Sequence, residues 1–172
     1  MYAAHFAAGL AIKSRTPLAP TAALLAGAFL PDFLWIAFAT AGIEPTRPGA
    51  FFDDWSHSLV SCLVWATLFA ALFLRLGRTV AAAMWLAVFS HFLLDLPIHP
   101  RDLALYPHSA VHLGWGLWRI GPLNYWLAQL GVLLVLMLVY SQGARRQGFP
   151  ARRIGATCAY LLAFHLLSLP AA

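Results

Sequence analysis

The chain has 172 residues, of which 62% are hydrophobic and only 10% are charged, and its formal net charge is +5. One soluble core of this length cannot bury so much apolar surface, so the composition excludes an ordinary soluble globular protein and indicates a chain solvated by lipid. The positive charge does not indicate nucleic-acid binding, because the basic residues flank hydrophobic segments and do not cluster on one soluble face.

The apolar segments predict an all-α integral membrane bundle of about five transmembrane helices plus a short N-terminal helix, folded as one domain over residues 1–172. A spanning helix needs roughly 20 mostly apolar residues, and the first segment, Tyr2–Ile12, is too brief to cross. The candidate spans that follow it are Leu18–Ile43, His57–Leu76, Thr79–Ile98, Leu123–Tyr140 and Ile154–Leu169. Pro31 interrupts the first of them and predicts a kink beside Asp32.

Basic residues at the segment ends predict the orientation of the bundle. When consecutive spans alternate in direction, eight Lys and Arg side chains fall on one side and three, Arg47, Arg101 and Arg119, fall on the other. Under the positive-inside rule, the side with eight faces the cytoplasm. The two long connections, residues 44–56 and 99–122, then face the periplasm or the exterior.

Several ionisable side chains lie within the apolar segments, where they are costly and are functional candidates by default. Counted at ~1.5 Å per residue from the basic turns, Asp32, His57 and Asp95 each lie about 26 to 27 Å along their helices. His91 lies one turn before Asp95 on the same helix face. The sequence therefore predicts that three helices bring these four side chains to one level.

Imidazole nitrogens and carboxylate oxygens from different helices are ligands of zinc and similar divalent metals. We therefore predict a divalent metal site, with zinc as the expected ion. The predicted ligands are Asp32, His57, His91 and Asp95. His99 continues the helical series by four residues and is a further candidate, although a proline intervenes. His5 lies only about 12 Å above Lys13, so it reaches this site only if the N-terminal helix is displaced outward.

Each of these side chains also has a structural interpretation. Asp32 can cap the helical segment that resumes after the proline. Ser56 and His57 can begin a helix, with Asp54 compensating its dipole. His165, a lone histidine in an apolar helix, is expected to hydrogen-bond to a neighbouring carbonyl. The agreement in depth favours a shared site over these separate roles.

A metal ion with an open coordination position lowers the pKa of a bound water towards 7 and so provides a nucleophile at neutral pH. The predicted site therefore indicates hydrolysis. A carboxylate from one of the long connections, Asp54 or Asp102, is the expected catalytic proton shuttle.

The order of the candidate residues resembles known families. The series His5, Pro31-Asp32, Ser56-His57-Ser58 and Ser90-His91-x-x-x-Asp95 resembles the inner-membrane family of metal-dependent hydrolases that includes the LexA-binding inner-membrane-associated proteins. More distantly, this order is similar to the ligand order of zinc-dependent phospholipase C. Segments 1–10, 99–107 and 114–118 look like an uncharacterised multi-pass bacterial membrane family. The resemblance implies a bacterial inner-membrane location, a metal site that includes His5, and a phosphoester substrate.

Together these observations predict a metal-dependent hydrolase of the bacterial inner membrane, whose site opens to the periplasmic leaflet and whose substrate is a lipid-linked or amphipathic ester. A small transporter that uses the same His and Asp residues for protons or metal ions is an alternative. A second alternative is a non-catalytic membrane adaptor in which these residues hold the helices in register. The apolar lower halves of the spans, such as Val64–Leu74, disfavour a polar path for transport.

Overall fold

The computed structural model describes residues 2–47, 50–99 and 103–168, and these residues are predominantly helical. In chain order the helices are α1 (Tyr2–Lys13), α2 (Thr21–Ala28), α3 (Leu30–Thr40), α4 (Asp54–His57), α5 (Leu59–Ala71), α6 (Arg78–Asp95), α7 (Pro122–Arg146) and α8 (Ala151–Leu166). Between α3 and α4, two short strands, β1 (Thr46–Arg47) and β2 (Ala50–Phe51), pair in antiparallel fashion.

The prediction of about five transmembrane helices is wrong. Among the described residues, only α7 is by itself both long enough and apolar enough to cross a membrane. Helices α2 and α3 meet these criteria only when taken together, and the chain bends by 56° between them. Helix α5 has only 13 residues and α8 only 16, while α6 includes Arg78, His91 and Asp95 among its 18. Turns and polar residues therefore divide stretches that hydropathy alone joins.

The bend between α2 and α3 occurs at the predicted kink. Phe29 separates the two helices, and Pro31 lies in the first turn of α3. Proline is tolerated there because the first amides of a helix have no partner within the helix. Asp32 follows in the same turn, so the bend places this carboxylate at the start of a new helix that faces α4 and α6.

Helix α1 occupies a central position, since it packs against α2, α6, α7 and α8. Its buried face consists largely of alanine, so neighbouring backbones approach closely. At Gly143 of α7, an added Cβ would lie 2.6 Å from the carbonyl oxygen of Ser14, the residue that follows α1. This packing brings His5, near the start of α1, into the interior.

The connection after α6 folds back over the ends of α5 and α6. The Leu59 amide at the start of α5 donates to the Ala104 carbonyl at 3.1 Å, and the Gly116 amide donates to the His99 carbonyl at 2.8 Å. These bonds satisfy groups that a helix end leaves without internal partners. They also fix the end of α6 beside α4, which carries His57.

Candidate metal centre

Five ionisable side chains from α1, α3, α4 and α6 meet at one place. We call this set the His/Asp cluster; its members are His5, Asp32, His57, His91 and Asp95. It contains two groups of three potential ligands, one formed by His5, His91 and Asp95 and the other by Asp32, His57 and His91, and within each group the ligand atoms lie within 4.8 Å of one another. By residue type and spacing, each group can hold a metal ion, and His91 belongs to both.

The three imidazoles direct their Nε2 atoms at the two carboxylates. Asp95 Oδ2 lies 3.1 Å from Nε2 of His91, and Asp95 Oδ1 lies 3.4 Å from Nε2 of His5. Asp32 Oδ1 lies 3.5 Å from Nε2 of His57 and 3.7 Å from Nε2 of His91. The sequence-predicted convergence of α3, α4 and α6 is therefore present, and α1 joins it.

The His/Asp cluster is closed on one side and open on the other. The side chains of His5 and His91 are each 1% exposed and that of Asp95 is 6% exposed, whereas that of Asp32 is 28% exposed. His99 lies at the same open edge, with its side chain 26% exposed and its Nε2 3.8 Å from Asp95 Oδ2. Solvent or a small molecule can therefore approach the cluster past Asp32 and His99.

The orientation of His91 is fixed by the bend between α2 and α3. Its Nδ1 lies 2.8 Å from the Ala28 carbonyl oxygen, at the end of α2. A carbonyl can only accept, so the Nδ1–H donates, and in the neutral ring Nε2 then keeps its lone pair. Metal-ligating histidines commonly have this outer contact, which fixes the tautomer and the ring plane.

His57 is oriented by Ser56 and Glu44, two residues that the sequence reasoning did not identify as part of a site. The Glu44 side chain is fully buried; it accepts from the Ser56 amide at 2.8 Å and from the Ser56 hydroxyl at 2.7 Å. The hydroxyl oxygen lies 2.7 Å from Nδ1 of His57. The hydroxyl also lies 2.9 Å from the Asp53 carbonyl oxygen. Because the Glu44 carboxylate and this carbonyl can only accept the single hydroxyl proton, the oxygen accepts from the His57 Nδ1–H. Nε2 of His57 therefore presents its lone pair towards Asp32.

His5 is held by ring contacts. Its ring stacks on His91 with centroids 4.1 Å apart and planes 9° apart, and it meets the Phe29 ring edge-on at 5.6 Å. Among the described residues, Nδ1 of His5 has no hydrogen-bond partner. His5 is therefore less firmly oriented than the other two imidazoles of the cluster.

The buried position of the cluster shifts the pKa values of its members. Burial, together with the nearby His91, lowers the pKa of His5 to about 4. For His91, burial acts in the same direction, but the Asp95 carboxylate outweighs it and the pKa is raised. For Asp95, burial favours the protonated form, but His91 and His5 outweigh it and the pKa lies well below its ordinary value. His91 is therefore the imidazole whose protonated form the Asp95 carboxylate favours, and an ion bound at its Nε2 would take the place of that proton.

The remaining candidate residues lie apart from this geometry or outside the described residues. Asp54 Oδ2 accepts a 2.8 Å hydrogen bond from the His108 amide, which ties α4 to the connection after α6, and its role as a proton shuttle stays a prediction. Asp102 lies outside the described residues. His165 stacks on Trp126 at 4.5 Å, between α7 and α8, as a buried side chain of the helix packing.

Comparisons of the chain with protein-family models, with curated proteins and with solved structures find no match.

Proposed function

We propose that the chain is a metal-dependent hydrolase whose His/Asp cluster holds one divalent ion, with zinc as the expected ion. In this proposal His91 and Asp95 are the principal ligands, and a third ligand comes from His5, Asp32 or His57, which leaves one position of a tetrahedral ion open for water.

The spacing of the ligand atoms is the observation that carries the proposal. Zinc binds imidazole nitrogen and carboxylate oxygen at ~2.0–2.2 Å in tetrahedral geometry, which separates neighbouring ligand atoms by about 3.3 to 3.6 Å. The Nε2–Oδ distances within the cluster run from 3.1 to 3.7 Å. Direct charge-assisted hydrogen bonds are shorter, at about 2.7–2.9 Å. The side chains are therefore spaced like ligands around an ion more than like directly paired ions.

The charges of the cluster support the same proposal. An imidazole that ligates a metal must be neutral, so in the metal-bound site two carboxylates and three imidazoles carry a net charge of −2, which a divalent cation neutralises. An uncompensated buried carboxylate is expensive, and Asp95 is 4% exposed. Since each Nε2 has one lone pair, His91 cannot ligate two ions, so the two ligand groups cannot both be complete at once. We therefore expect one ion per chain.

Each residue around the ion would have its own role in hydrolysis. A divalent ion, when bound, supplies Lewis acidity and makes a hydroxide nucleophile available at neutral pH. Asp32 and His99 lie at the open edge of the cluster, where a scissile group enters. His99 is placed to exchange protons with solvent and with Asp95. Ser56 and Ala28 hold the rings of His57 and His91 in their ligating orientation.

We further propose that the enzyme acts at the bacterial inner membrane on a lipid-linked or amphipathic ester. Helix α7 has the length and hydropathy of a membrane span. Leu127, Leu134, Val135 and Leu138 of this helix are exposed large apolar side chains. Such patches mark contacts with lipid or with other proteins. This setting supports a substrate that reaches the site from lipid.

Hydrolysis assays of the full chain, purified in detergent without chelator, test the proposal. Two chromogenic probes, a p-nitrophenyl acyl ester and bis(p-nitrophenyl) phosphate, distinguish a carboxylic ester from a phosphoester. We expect one of them to be hydrolysed, with activity abolished by chelation, restored by Zn²⁺, and lost in His91→Ala but not in His165→Ala. Activity that survives both chelation and His91→Ala would refute a metal-dependent reaction. Stoichiometric metal without turnover of either probe would instead favour a non-catalytic role for the bound ion.

A further inference from the structure

A cavity of about 510 Å³ lies between α1, α6 and α7, outside the His/Asp cluster. Its lining is almost wholly apolar and includes Ala8 and Ala11 of α1, Ala82 and Leu86 of α6, and Leu136 and Val139 of α7. Helix α1 packs against both of the other helices, so its small residues form the floor of a groove between them. A volume of this size lies within the range of small-molecule sites.

The two ends of this groove differ in polarity. Ser90, the residue before His91, lies at one end, and Arg15, Thr16 and Thr79 lie at the other. Arg15 and Thr79 are exposed, and no acidic residue of the described ranges lines the groove. Every ion pair among the described residues joins a histidine to Asp32 or Asp95, so no acidic side chain there neutralises the Arg15 guanidinium. The groove is therefore apolar along its length and cationic at its mouth.

The dimensions of the groove fit a hydrocarbon chain better than a helix. Thr79 and Ser90 lie about 16 Å apart along α6 at 1.5 Å per residue. With the space open to solvent included, the groove holds about 990 Å³ of empty volume, which over that length is a mean cross-section of about 60 Å². A helix is at least ~10 Å wide and therefore requires a cross-section of about 80 Å². An extended acyl chain is far narrower than a helix and buries a CH₂ group at each step.

We propose that this groove binds one acyl chain of an anionic phospholipid, with the lipid phosphate paired to Arg15. Arginine binds phosphate through two parallel N–H···O bonds, and the hydroxyls of Thr16 and Thr79 can donate to the remaining oxygens. Each methylene buried in the groove contributes affinity that is independent of the head group. This site shares no ligand with the His/Asp cluster, so lipid binding requires no metal and does not rest on the proposed hydrolysis.

Competition between two lipids tests the proposal. The full chain, purified in a non-ionic detergent, is incubated with equal amounts of phosphatidylglycerol and of diacylglycerol, which carries identical acyl chains but no phosphate, and native mass spectrometry counts the lipid retained. We expect one retained lipid per chain, with phosphatidylglycerol preferred about tenfold or more, as for a charge-assisted pair. Equal retention of the two lipids, or displacement of lipid by inorganic phosphate alone, would overturn the proposal.

Matched variants separate the head-group contact from the groove. Arg15→Gln should remove the preference for phosphatidylglycerol, whereas Arg152→Gln, at another exposed arginine, should keep it. Ala82→Trp fills the groove from an exposed helix position and should abolish retention, whereas Ala156→Trp, on α8, should not. Addition of chelator should change neither result. Retention unaffected by Ala82→Trp would show that no acyl chain occupies the groove.

Discussion

Replacement of Ser56 by alanine tests whether Glu44 and Ser56 position His57 for metal binding. The variant removes one hydroxyl that contacts both Glu44 Oε2 and His57 Nδ1 at 2.7 Å. Both atoms then lack a partner in a buried site, and each such loss costs about 1–3 kcal/mol. Loss of the outer hydrogen bond of a metal-ligating histidine typically reduces metal affinity by 10–100-fold. We therefore expect Ser56→Ala to lower the free energy of unfolding by about 2–6 kcal/mol and to weaken zinc binding by about 10–100-fold.

Ser58→Ala provides a matched control two residues away. Ser58 is also fully buried, but its hydroxyl oxygen accepts from the Ser61 amide and caps α5. Its removal should cost about 1 kcal/mol of stability, as for other N-caps, without changing zinc affinity. Thermal unfolding and zinc titration against a competing chelator measure the two quantities. Equal zinc affinities in the two variants would refute the role assigned to Ser56.

Three further predictions follow from the same geometry. His91→Ala removes the ligand that both ligand groups share, so it should reduce zinc affinity at least 100-fold. His165→Ala, at another buried histidine, should leave zinc affinity unchanged. Equal zinc affinities of the two variants in a titration would contradict this prediction. Gly143→Ala would press a Cβ against the Ser14 backbone and should lower the free energy of unfolding by about 1–3 kcal/mol. Gly131→Ala, at an open position on the same helix, should raise the free energy of unfolding by up to about 1 kcal/mol. Denaturant unfolding measures both values, and equal effects would contradict the packing of α1 on α7. Removal of the ion by chelator should lower the unfolding temperature, since an ion present at 100 times its Kd stabilises the fold by about 2.7 kcal/mol, and an unchanged temperature would show that no ion stabilises the fold.

The sequence could predict the convergence of Asp32, His57, His91 and Asp95 because distance along a helix depends only on residue number. That calculation did not require the helices to span a membrane, so the convergence is present although the predicted number of spans is wrong. Hydropathy joined residues 18–43 into one span, which a bend of 56° at Phe29 divides into two short helices. It also extended the next predicted span to Leu76, whereas α5 ends at Ala71 and is too short to cross a membrane.

The contributions of His5 and Glu44 depend on tertiary packing, which the sequence does not encode locally. Counted from Lys13, His5 lies only about 12 Å along α1, so it cannot meet Asp95 unless that helix is displaced outward. The small residues of α1 permit the packing that brings the His5 and Asp95 side chains to 3.4 Å. Glu44 lies in a connection twelve residues before Ser56, and no spacing rule links the two. Ser56, by contrast, is the residue before His57, so the sequence alone could have indicated that its hydroxyl contacts the His57 ring.

The metal content of the purified chain tests the central claim most directly. The full chain should be purified in detergent without chelator, analysed for elements, and then titrated with Zn²⁺ after the ion is removed. We expect one equivalent of a divalent metal per chain and rebinding at a single site that His91→Ala abolishes. A chain that contains no stoichiometric metal and fails to bind Zn²⁺ on titration would show that the His/Asp cluster is a hydrogen-bonded network without an ion.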